Sequence, residues 1–309
     1  MSGSKTSTAD PALEAYLAEA RARVDAVLES WGVRAGEWWP APVPAAMRYS
    51  LLSTGKRLRP TLVFAAAEAV GGGGAAERVA DLAAAVEVVH AYSLVHDDLP
   101  CMDNDDLRRG RPTTHRAFDV GTAVVAGYHM VALGARVLDA GLAALALAPE
   151  ARRRIALELF RAAGAGGMIG GQALDLEAEG RQLPPAVLED VHRRKTGALI
   201  SAACVIGAMA AGAPGATCEA LRGYGADVGL AFQIYDDVLD ATATSDQLGK
   251  TAGKDAADGK STFVTLLGAG AARAEAERLA ARAVDRLRQA GLVSPTLAGL
   301  AQYIVTRPN

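Results

Sequence analysis

The amino-acid sequence predicts an all-α fold, for reasons of composition and patterning. Hydrophobic residues make up 50% of the 309 residues, aromatic residues make up only 5%, and alanine is abundant. Alanine is the best helix former, and small side chains let helices approach one another closely. Few stretches show the alternation of apolar and polar residues that is typical of strands. We find no linker, so we expect one domain over residues 1–309, with residues 1–10 as a disordered tail.

Charge and cysteine content argue against several classes of protein. The net charge of −3, with basic residues beside acidic ones, gives no reason to expect nucleic-acid binding. The three cysteines, Cys101, Cys204 and Cys218, form no pairing framework, so we expect a reducing compartment and a cytoplasmic protein. The N-terminus lacks the apolar core of a signal peptide. The longest nearly apolar run, residues 198–213, is shorter than the ~20 residues of a membrane span, so we expect a buried helix there.

The N-terminal region predicts a helix and then a basic loop. Asp10 and Pro11 are a capping residue and a first-turn proline, and the helix that they open should end near Ser30. Further on, Lys56 and Arg59 lie in a loop, GKRLRP, that leads into the next helix. Loop donors and a helix N-terminus together form an anion site, whereas the spacing alone also fits an ordinary basic loop.

A dense acidic segment occupies residues 87–115. It reads EVVHAYSLVHDDLPCMDNDDLRRGRPTTH and contains five aspartates within ten residues: Asp97, Asp98, Asp103, Asp105 and Asp106. Alone, an acidic run fits a solvated loop or a weak calcium site. A second cluster, DDVLD at residues 236–240, favours a different interpretation. Two such clusters, with arginines beside the first, are suited to holding a polyanion through metal ions and guanidinium groups.

Helical spacing brings particular side chains of this segment together. In a helix that we expect to begin near Ala76, His90 and Asp97 share one face. Pro100 should end that helix and let Asp103 turn back toward Asp97. The two arginines that follow, at positions 108 and 109, are expected on a helix, where adjacent side chains diverge.

The later part of the chain carries a second set of polar residues. Two of them, Lys195 and Thr196, fall within a helix opened by a pair of prolines. Four more share one face of another helix: Gln233, Asp236, Asp237 and Asp240. The polar loop at residues 246–259 has the length of a lid. Lys250 and Lys260 are candidate phosphate contacts on it.

These motifs resemble those of the short-chain trans-isoprenyl diphosphate synthases, above all the bacterial farnesyl diphosphate synthases. The matching segments, in family order, are GKRLRP, DDLPCMD, GGQALDL, KTGAL, DDVLD and GKSTF, and the resemblance covers about residues 11–307. One DDxxD motif is a weak signal, whereas six ordered motifs are a strong one. The resemblance implies a single large helical bundle around a central cavity, and it implies a homodimer.

The resemblance also implies an activity and a set of site residues. The activity is condensation of isopentenyl diphosphate with dimethylallyl or geranyl diphosphate, with release of diphosphate. The cofactor is Mg²⁺, in a group of three ions for which Mn²⁺ can substitute, held by Asp97, Asp98, Asp103, Asp236, Asp237 and Asp240. Isopentenyl diphosphate is assigned to Lys56, Arg59, His90 and Arg109. The allylic substrate is assigned to Arg108, Lys195, Thr196, Gln233, Lys250 and Lys260. The expected catalytic residues are Asp97, Asp98, Asp103, Asp236, Lys195, Thr196 and Gln233.

Product length is expected to depend on Tyr92 and Ser93, which precede the first acidic pair. Tyr92 lies ~7.5 Å along the helix axis from Asp97, so its ring can form the floor of the product cavity, or can simply pack in the core. Aromatic residues at this position accompany farnesyl products in the resembled family. One departure is Tyr128, which stands where relatives commonly have an acid. It fits a changed helix contact as well as a reshaped cavity.

Other functions remain as alternatives to a farnesyl diphosphate synthase. A geranylgeranyl or geranyl diphosphate synthase would share every motif. A terpene cyclase would carry an Asn-Ser-Glu type of second metal motif and would lack the GKRLRP loop. A non-catalytic synthase subunit should have lost one acidic cluster, and an EF-hand needs a different ligand spacing. DDVLD and GKRLRP disfavour the cyclase, the two intact acidic clusters disfavour the non-catalytic subunit, and the absence of the EF-hand ligand spacing disfavours the calcium module.

Overall fold

Helices supply nearly all of the regular structure, as the sequence predicts. The structure, a computed structural model, describes residues 10–242 and 261–307. The α-helices are α1 (Pro11–Arg34), α2 (Val43–Leu51), α3 (Leu58–Gly71), α4 (Ala75–Arg78), α5 (Ala80–Asp97), α6 (Thr114–Ala117), α7 (Val120–Ala144), α8 (Pro149–Ala163), α9 (Met168–Glu177), α10 (Pro185–His192), α11 (Ala198–Ala210), α12 (Gly215–Thr242), α13 (Phe263–Leu267), α14 (Ala269–Gln289) and α15 (Pro295–Thr306). A 3₁₀ turn, Ala35–Glu37, follows α1, and a π-helical segment, Arg193–Gly197, joins α10 to α11.

Two predicted helix boundaries differ from the observed ones. The side chain of Asp10 accepts a hydrogen bond from a first-turn N–H at 3.1 Å, as expected of a cap, but α1 continues one turn beyond Ser30. Trp31 accounts for that turn, because its ring is buried and its indole N–H donates to Asp81 at 2.9 Å. The helix expected from Ala76 is divided at Val79 into α4 and α5.

The prediction that Arg108 and Arg109 lie on a helix is wrong. They belong to a two-stranded antiparallel hairpin of β1 (Leu107–Arg108) and β2 (Arg111–Pro112). Arg109 has φ 55° and Gly110 has φ 73°, and positive φ at both central residues of a two-residue loop is typical of a type I′ turn. Arg108 therefore lies on a strand and Arg109 at the turn, which separates the two side chains.

The core is formed by closely packed helices. Helix α5 packs against α7 and α3, α11 packs against α3 and α12, and α12 packs against α14. Small residues allow this spacing: a Cβ at Gly207 of α11 would collide with the carbonyl of Val63 in α3. Residues 198–208 of α11 are almost all buried, as expected for that apolar run.

One helix of the described residues, α7, is long and apolar enough to cross a membrane by length and composition. Its most apolar window has a mean hydropathy of 1.3, and 39% of it is buried. Core helices of soluble proteins pass the same test, so the signal is weak. Met130 and Leu133 are buried where α7 packs against α5, whereas Val125 and Tyr128 point outward.

Candidate active site

The first acidic cluster forms a turn at the C-terminal end of α5. The helix ends at Asp97, Pro100 lies in the turn that follows, and the backbone N–H of Asp103 donates to the carbonyl of Asp97 at 2.9 Å. The predicted return of Asp103 toward Asp97 is therefore confirmed for the backbone. The neighbouring Asp98 is buried and accepts a hydrogen bond from Nε of Arg108 at 2.7 Å.

Asp97 has an environment in which its negative charge is costly. Burial raises the pKa of Asp97 to about 7, with Lys195 opposing the shift and Asp103 adding to it. A carboxyl group whose charge is poorly compensated by the protein attracts a cation. Lys195, about one hundred residues later in the chain, is thus close enough to act on Asp97.

Lys195 and Thr196 lie on the π-helical segment, where the sequence predicts an ordinary helix. Helix α9 packs directly on this segment, because a Cβ at Gly171 would collide with the backbone N of Lys195. The ammonium of Lys195 donates to Asp175 at 2.6 Å, and Thr196 Oγ1 donates to Oε1 of Gln233 at 2.9 Å. The widened turn brings two predicted site residues into contact with side chains of α9 and α12.

The second acidic cluster lies near the C-terminal end of α12. Asp236 is half-exposed, while Asp237 and Asp240 are buried. Asp237 accepts the backbone N–H of Phe263 at 2.9 Å and lies 3.6 Å from Nε2 of His192. Asp237 therefore joins the start of α13 to the end of α10.

Arg307, at the end of α15, is a candidate site residue that sequence reasoning missed. Its guanidinium hydrogen-bonds to Oδ1 of Asp236 and lies 4.2 Å from the ring centre of Phe232 and 5.3 Å from that of Tyr235. The side chain is completely buried. The only signal in the sequence is a lone arginine after an apolar helix, which spacing cannot connect to the acidic cluster.

The basic loop lies beside the second acidic cluster. Burial lowers the pKa of Lys56 to about 8; Arg307 lowers it further, and Asp236 raises it. Burial lowers the pKa of Arg59 to about 10, with Glu87 opposing the shift. Among the described residues, Nε of Arg59 has no hydrogen-bond partner. Arg59 as a whole is half-buried, and a guanidinium whose buried Nε has an unused donor has the chemistry of an anion site.

His90 and Arg109 border the same basic loop. Burial and then the charge of Arg59 lower the pKa of His90 well below its ordinary value, so the imidazole stays neutral at pH 7. Nη1 of Arg109 donates to Oγ of Ser53 at 3.3 Å. Arg109 lies close enough to act electrostatically on Lys56, Arg59 and His90, so these four side chains are neighbours, whereas Lys195 acts on Asp97.

The two chain-length candidates point to different surroundings. Tyr92 is buried, and its ring contacts the imidazole of His96 edge-to-face at 6.0 Å. Burial and then Asp97 raise the pKa of Tyr92 to about 12, so the hydroxyl stays protonated. Oγ of Ser93 donates to the carbonyl of His90 at 2.9 Å, within its own helix.

Tyr128, which stands where relatives commonly have an acid, lies close to His96 of α5. The ring of His96 packs on Gly127, where a Cβ would collide with it, and lies 5.2 Å from the ring of Tyr128. Tyr128 is 67% exposed, so it covers His96 from outside. His129 instead packs on Trp39 at 4.9 Å.

The carboxylates fit Mg²⁺ if substrate phosphates complete the coordination. Within residues 10–242 and 261–307, no three or more His, Cys, Asp or Glu side chains are grouped closely enough to hold a metal ion. Mg²⁺ prefers oxygen ligands, keeps several waters and commonly takes one or two carboxylates together with phosphates. Burial disfavours the negative charge of Asp97 and raises its pKa, so a bound Mg²⁺ would compensate that charge. The predicted contacts Lys250 and Lys260 lie outside the described residues.

Comparisons with known proteins agree with this geometry. The polyprenyl synthetase family matches residues 41–293. Geranylgeranyl pyrophosphate synthase 9, chloroplastic, of Arabidopsis thaliana is 44% identical over 279 residues, which are 87% of this chain and 75% of that protein. Farnesyl diphosphate synthase of Escherichia coli is 45% identical over 276 residues, 86% of this chain and 89% of that protein. A crystal structure of geranyltransferase from Helicobacter pylori, complexed with magnesium and isoprenyl diphosphate, superposes with a TM-score of 0.80 at 30% identity, covering 97% of this chain and 98% of that one.

Proposed function

The chain belongs to the polyprenyl synthetase family and is a prenyltransferase of the trans-prenyl diphosphate synthase class, and from that premise we propose that its main product is farnesyl diphosphate. The substrates are isopentenyl diphosphate and the allylic dimethylallyl and geranyl diphosphates. One observation carries the assignment of roles: the basic group around Lys56 and Arg59 is distinct from the group formed by Lys195 and Asp97. Two diphosphates need two such sites.

The allylic diphosphate occupies the site between the two acidic clusters in this proposal. Asp97, Asp98 and Asp103 hold Mg²⁺ on one side, and Asp236, Asp237 and Asp240 hold it on the other. We assign three ions to the site and expect Mn²⁺ to substitute. When bound, the metal neutralises and orients the leaving diphosphate. Lys195 and Arg108 add positive charge around the same group, and we assign Lys250 and Lys260, which lie outside the described residues, to the same diphosphate.

Isopentenyl diphosphate occupies the second site. Lys56, Arg59 and Arg109 bind its diphosphate by charge-assisted hydrogen bonds. The unused Nε of Arg59 supports this role. His90 is neutral, so it can donate one hydrogen bond there without adding charge.

The allylic cation forms beside Thr196 and Gln233. Their mutual hydrogen bond fixes both side chains, so their oxygen dipoles are oriented before the charge develops. Apolar helices on the other sides exclude water from the cation. The double bond of isopentenyl diphosphate attacks it, forming the new carbon–carbon bond. The released diphosphate then accepts the proton that is lost.

The choice of farnesyl diphosphate rests on Tyr92. Its buried ring is braced by His96 and lies below the metal end of α5, where a growing chain would meet it. Geranylgeranyl diphosphate is the second candidate, because its synthases are as similar to this chain as the farnesyl enzyme is. A geranyl product would need a still shorter cavity.

We further propose a cytoplasmic homodimer. The outward face of α7 supports the dimer, since it presents apolar residues that a second subunit could cover: Val120, Val125, Tyr128 and Val131. Such an exposed apolar patch is typical of an interaction surface. A molar mass of one chain in solution at micromolar concentration would contradict this part of the proposal.

A pyrophosphate-release assay tests the function. Purified protein is mixed with Mg²⁺, isopentenyl diphosphate and one allylic diphosphate, and pyrophosphate is followed with time. We expect release only when both substrates and the metal are present. Release of pyrophosphate from the allylic substrate alone would instead indicate a cyclase.

A further inference from the structure

We propose that Arg57 is a positioning residue of the isopentenyl diphosphate site. Its guanidinium, buried beneath the basic loop, fixes the backbone that carries Lys56 and Arg59. Only 2% of the Arg57 side chain is exposed, so it acts through these neighbours and not on the substrate. The inference rests on the proposed function, because it takes isopentenyl diphosphate as the ligand of Lys56 and Arg59.

Every nitrogen of the Arg57 guanidinium donates a hydrogen bond to a partner inside the protein. Nε donates to Asp25 at 2.8 Å, and Nη1 donates to Glu87 at 2.7 Å. Nη2 donates to the carbonyls of Leu51 and Ser53, at 2.7 and 3.1 Å. One side chain thus ties the loop to α1, α5 and the end of α2. A loop held at four points has little freedom to move.

The backbone of Arg57 needs this support. It has φ 48° and ψ 36°, a left-handed conformation that a residue other than glycine rarely adopts. The Arg57 carbonyl opens α3, since it accepts the N–H of Thr61 at 3.0 Å and its hydroxyl at 2.8 Å. The left-handed residue sets the angle between the loop that carries Lys56 and the helix that carries Arg59.

Arg57 also keeps Arg59 available for the substrate. The Glu87 carboxylate is buried, and its charge acts on Arg59 and Arg109 as well as on Arg57. Because Nη1 of Arg57 occupies Oε1 of Glu87, that carboxylate is held and satisfied. Without this bond, the buried carboxylate of Glu87 would lack a partner and would pair with Arg59 instead. Arg59 would then be less available to bind isopentenyl diphosphate.

The same anchor extends to Arg109 through Ser53. The Ser53 carbonyl accepts from Arg57, and its hydroxyl oxygen accepts from Arg109 at 3.3 Å. The Arg109 guanidinium also packs on Gly55, where a Cβ would lie 2.5 Å from Nη1. Fixing residues 53–57 therefore fixes the surface on which Arg109 rests.

Arg57→Lys tests the proposal while keeping the charge. An ammonium has three donors and no planar fork, so it cannot reach all four acceptors. We expect the KM for isopentenyl diphosphate to rise about tenfold, while the KM for geranyl diphosphate and kcat stay within about twofold. Arg153→Lys, on an exposed arginine paired with Glu150, is the matched control and should change none of these constants.

A purely structural role for Arg57 predicts a different result. Loss of stability without a role in positioning would lower the melting temperature and leave both KM values of the folded enzyme unchanged, or would change them equally. Either outcome overturns the proposal. If Arg57→Lys does not fold, Asp25→Ala decides, because Asp25 is 39% exposed and its carboxylate is one of the four acceptors of the Arg57 guanidinium. A selective rise in the KM for isopentenyl diphosphate in Asp25→Ala supports the proposal, and no change overturns it.

Arg59→Ala separates this inference from the function on which it rests. If Arg59→Ala raises only the KM for isopentenyl diphosphate while Arg57→Lys leaves it unchanged, the site assignment holds and the inference fails. If Arg59→Ala leaves that KM unchanged, the site assignment itself fails and the inference falls with it.

Discussion

The guanidinium of Arg307 hydrogen-bonds to Asp236, 71 residues earlier in the chain. This contact joins the end of α15 to the second acidic cluster of the candidate active site. The charge of Arg307 also acts on Lys56, in the basic loop. One arginine near the C-terminus therefore lies between the second acidic cluster and the proposed isopentenyl diphosphate site.

Replacing Arg307 should weaken the enzyme without abolishing it. In Arg307→Ala, Asp236 loses its guanidinium partner, and a positive charge that acts on Lys56 is removed. We expect kcat/KM for isopentenyl diphosphate to fall about tenfold, which corresponds to ~1.4 kcal/mol of transition-state stabilisation. Steady-state kinetics with Arg307→Lys as the charge-conserving control measures this. Parent-like kinetics in Arg307→Ala would mean that the contact has no part in the site.

The acidic clusters should be essential for turnover and dispensable for folding. Asp97→Ala and Asp236→Ala each remove a proposed metal ligand, so we expect turnover to fall by roughly three orders of magnitude or more. Both side chains are incompletely buried, and circular dichroism should show a parent-like fold. Near-parent turnover in either folded variant would refute the two-cluster metal site.

The stability of the metal-free protein should depend on the protonation of Asp97. Its pKa of about 7 lies above the ~3.9 expected of an unfolded chain, so the folded state binds the extra proton between these values. Stability then falls as the pH rises through this window. In chelator, we expect a lower melting temperature near pH 7.5 than near pH 5, and a flatter profile in Asp97→Asn. Identical pH profiles for the two proteins would contradict the assignment.

Tyr92→Ala should lengthen the product. Removing the ring takes away the proposed floor of the product cavity, so chains of twenty carbons or more should appear. Tyr128→Ala is the comparison variant. The Tyr128 ring is exposed and contacts His96 from outside, so we expect its removal to change product length less than removal of the Tyr92 ring does. Product analysis by mass spectrometry separates the two. An active Tyr92→Ala variant with parent products would show that Tyr92 is not the floor.

Much of this arrangement follows from the sequence because local rules determine it. Pro100 prevents α5 from continuing past the acidic pair, so the return of Asp103 to Asp97 was predictable from the chain. Spacing on α12 likewise placed Gln233 near the acidic cluster. The contact of Gln233 with Thr196, in contrast, depends on how α12 packs against the π-helical segment.

The features that the sequence did not reveal depend on tertiary contacts. In the sequence, Arg307 is an ordinary arginine at a helix end, because its contact with Asp236 depends on how α15 packs. In the sequence, Arg57 is one of several basic residues in GKRLRP. Its special role depends on contacts with Glu87 and Asp25, which are distant in the chain. The hairpin turn at Arg109 and Gly110 was missed because LRRGRP is too short to show strand alternation.

The central claim is that this prenyltransferase makes a fifteen-carbon product by adding isopentenyl diphosphate to allylic primers. The most direct test is mass spectrometry of the products formed from isopentenyl diphosphate with dimethylallyl, geranyl or farnesyl diphosphate and Mg²⁺. The account predicts farnesyl diphosphate from the first two primers and little extension of the third. Efficient conversion of farnesyl diphosphate to the twenty-carbon product, or no condensation with any primer, would contradict it.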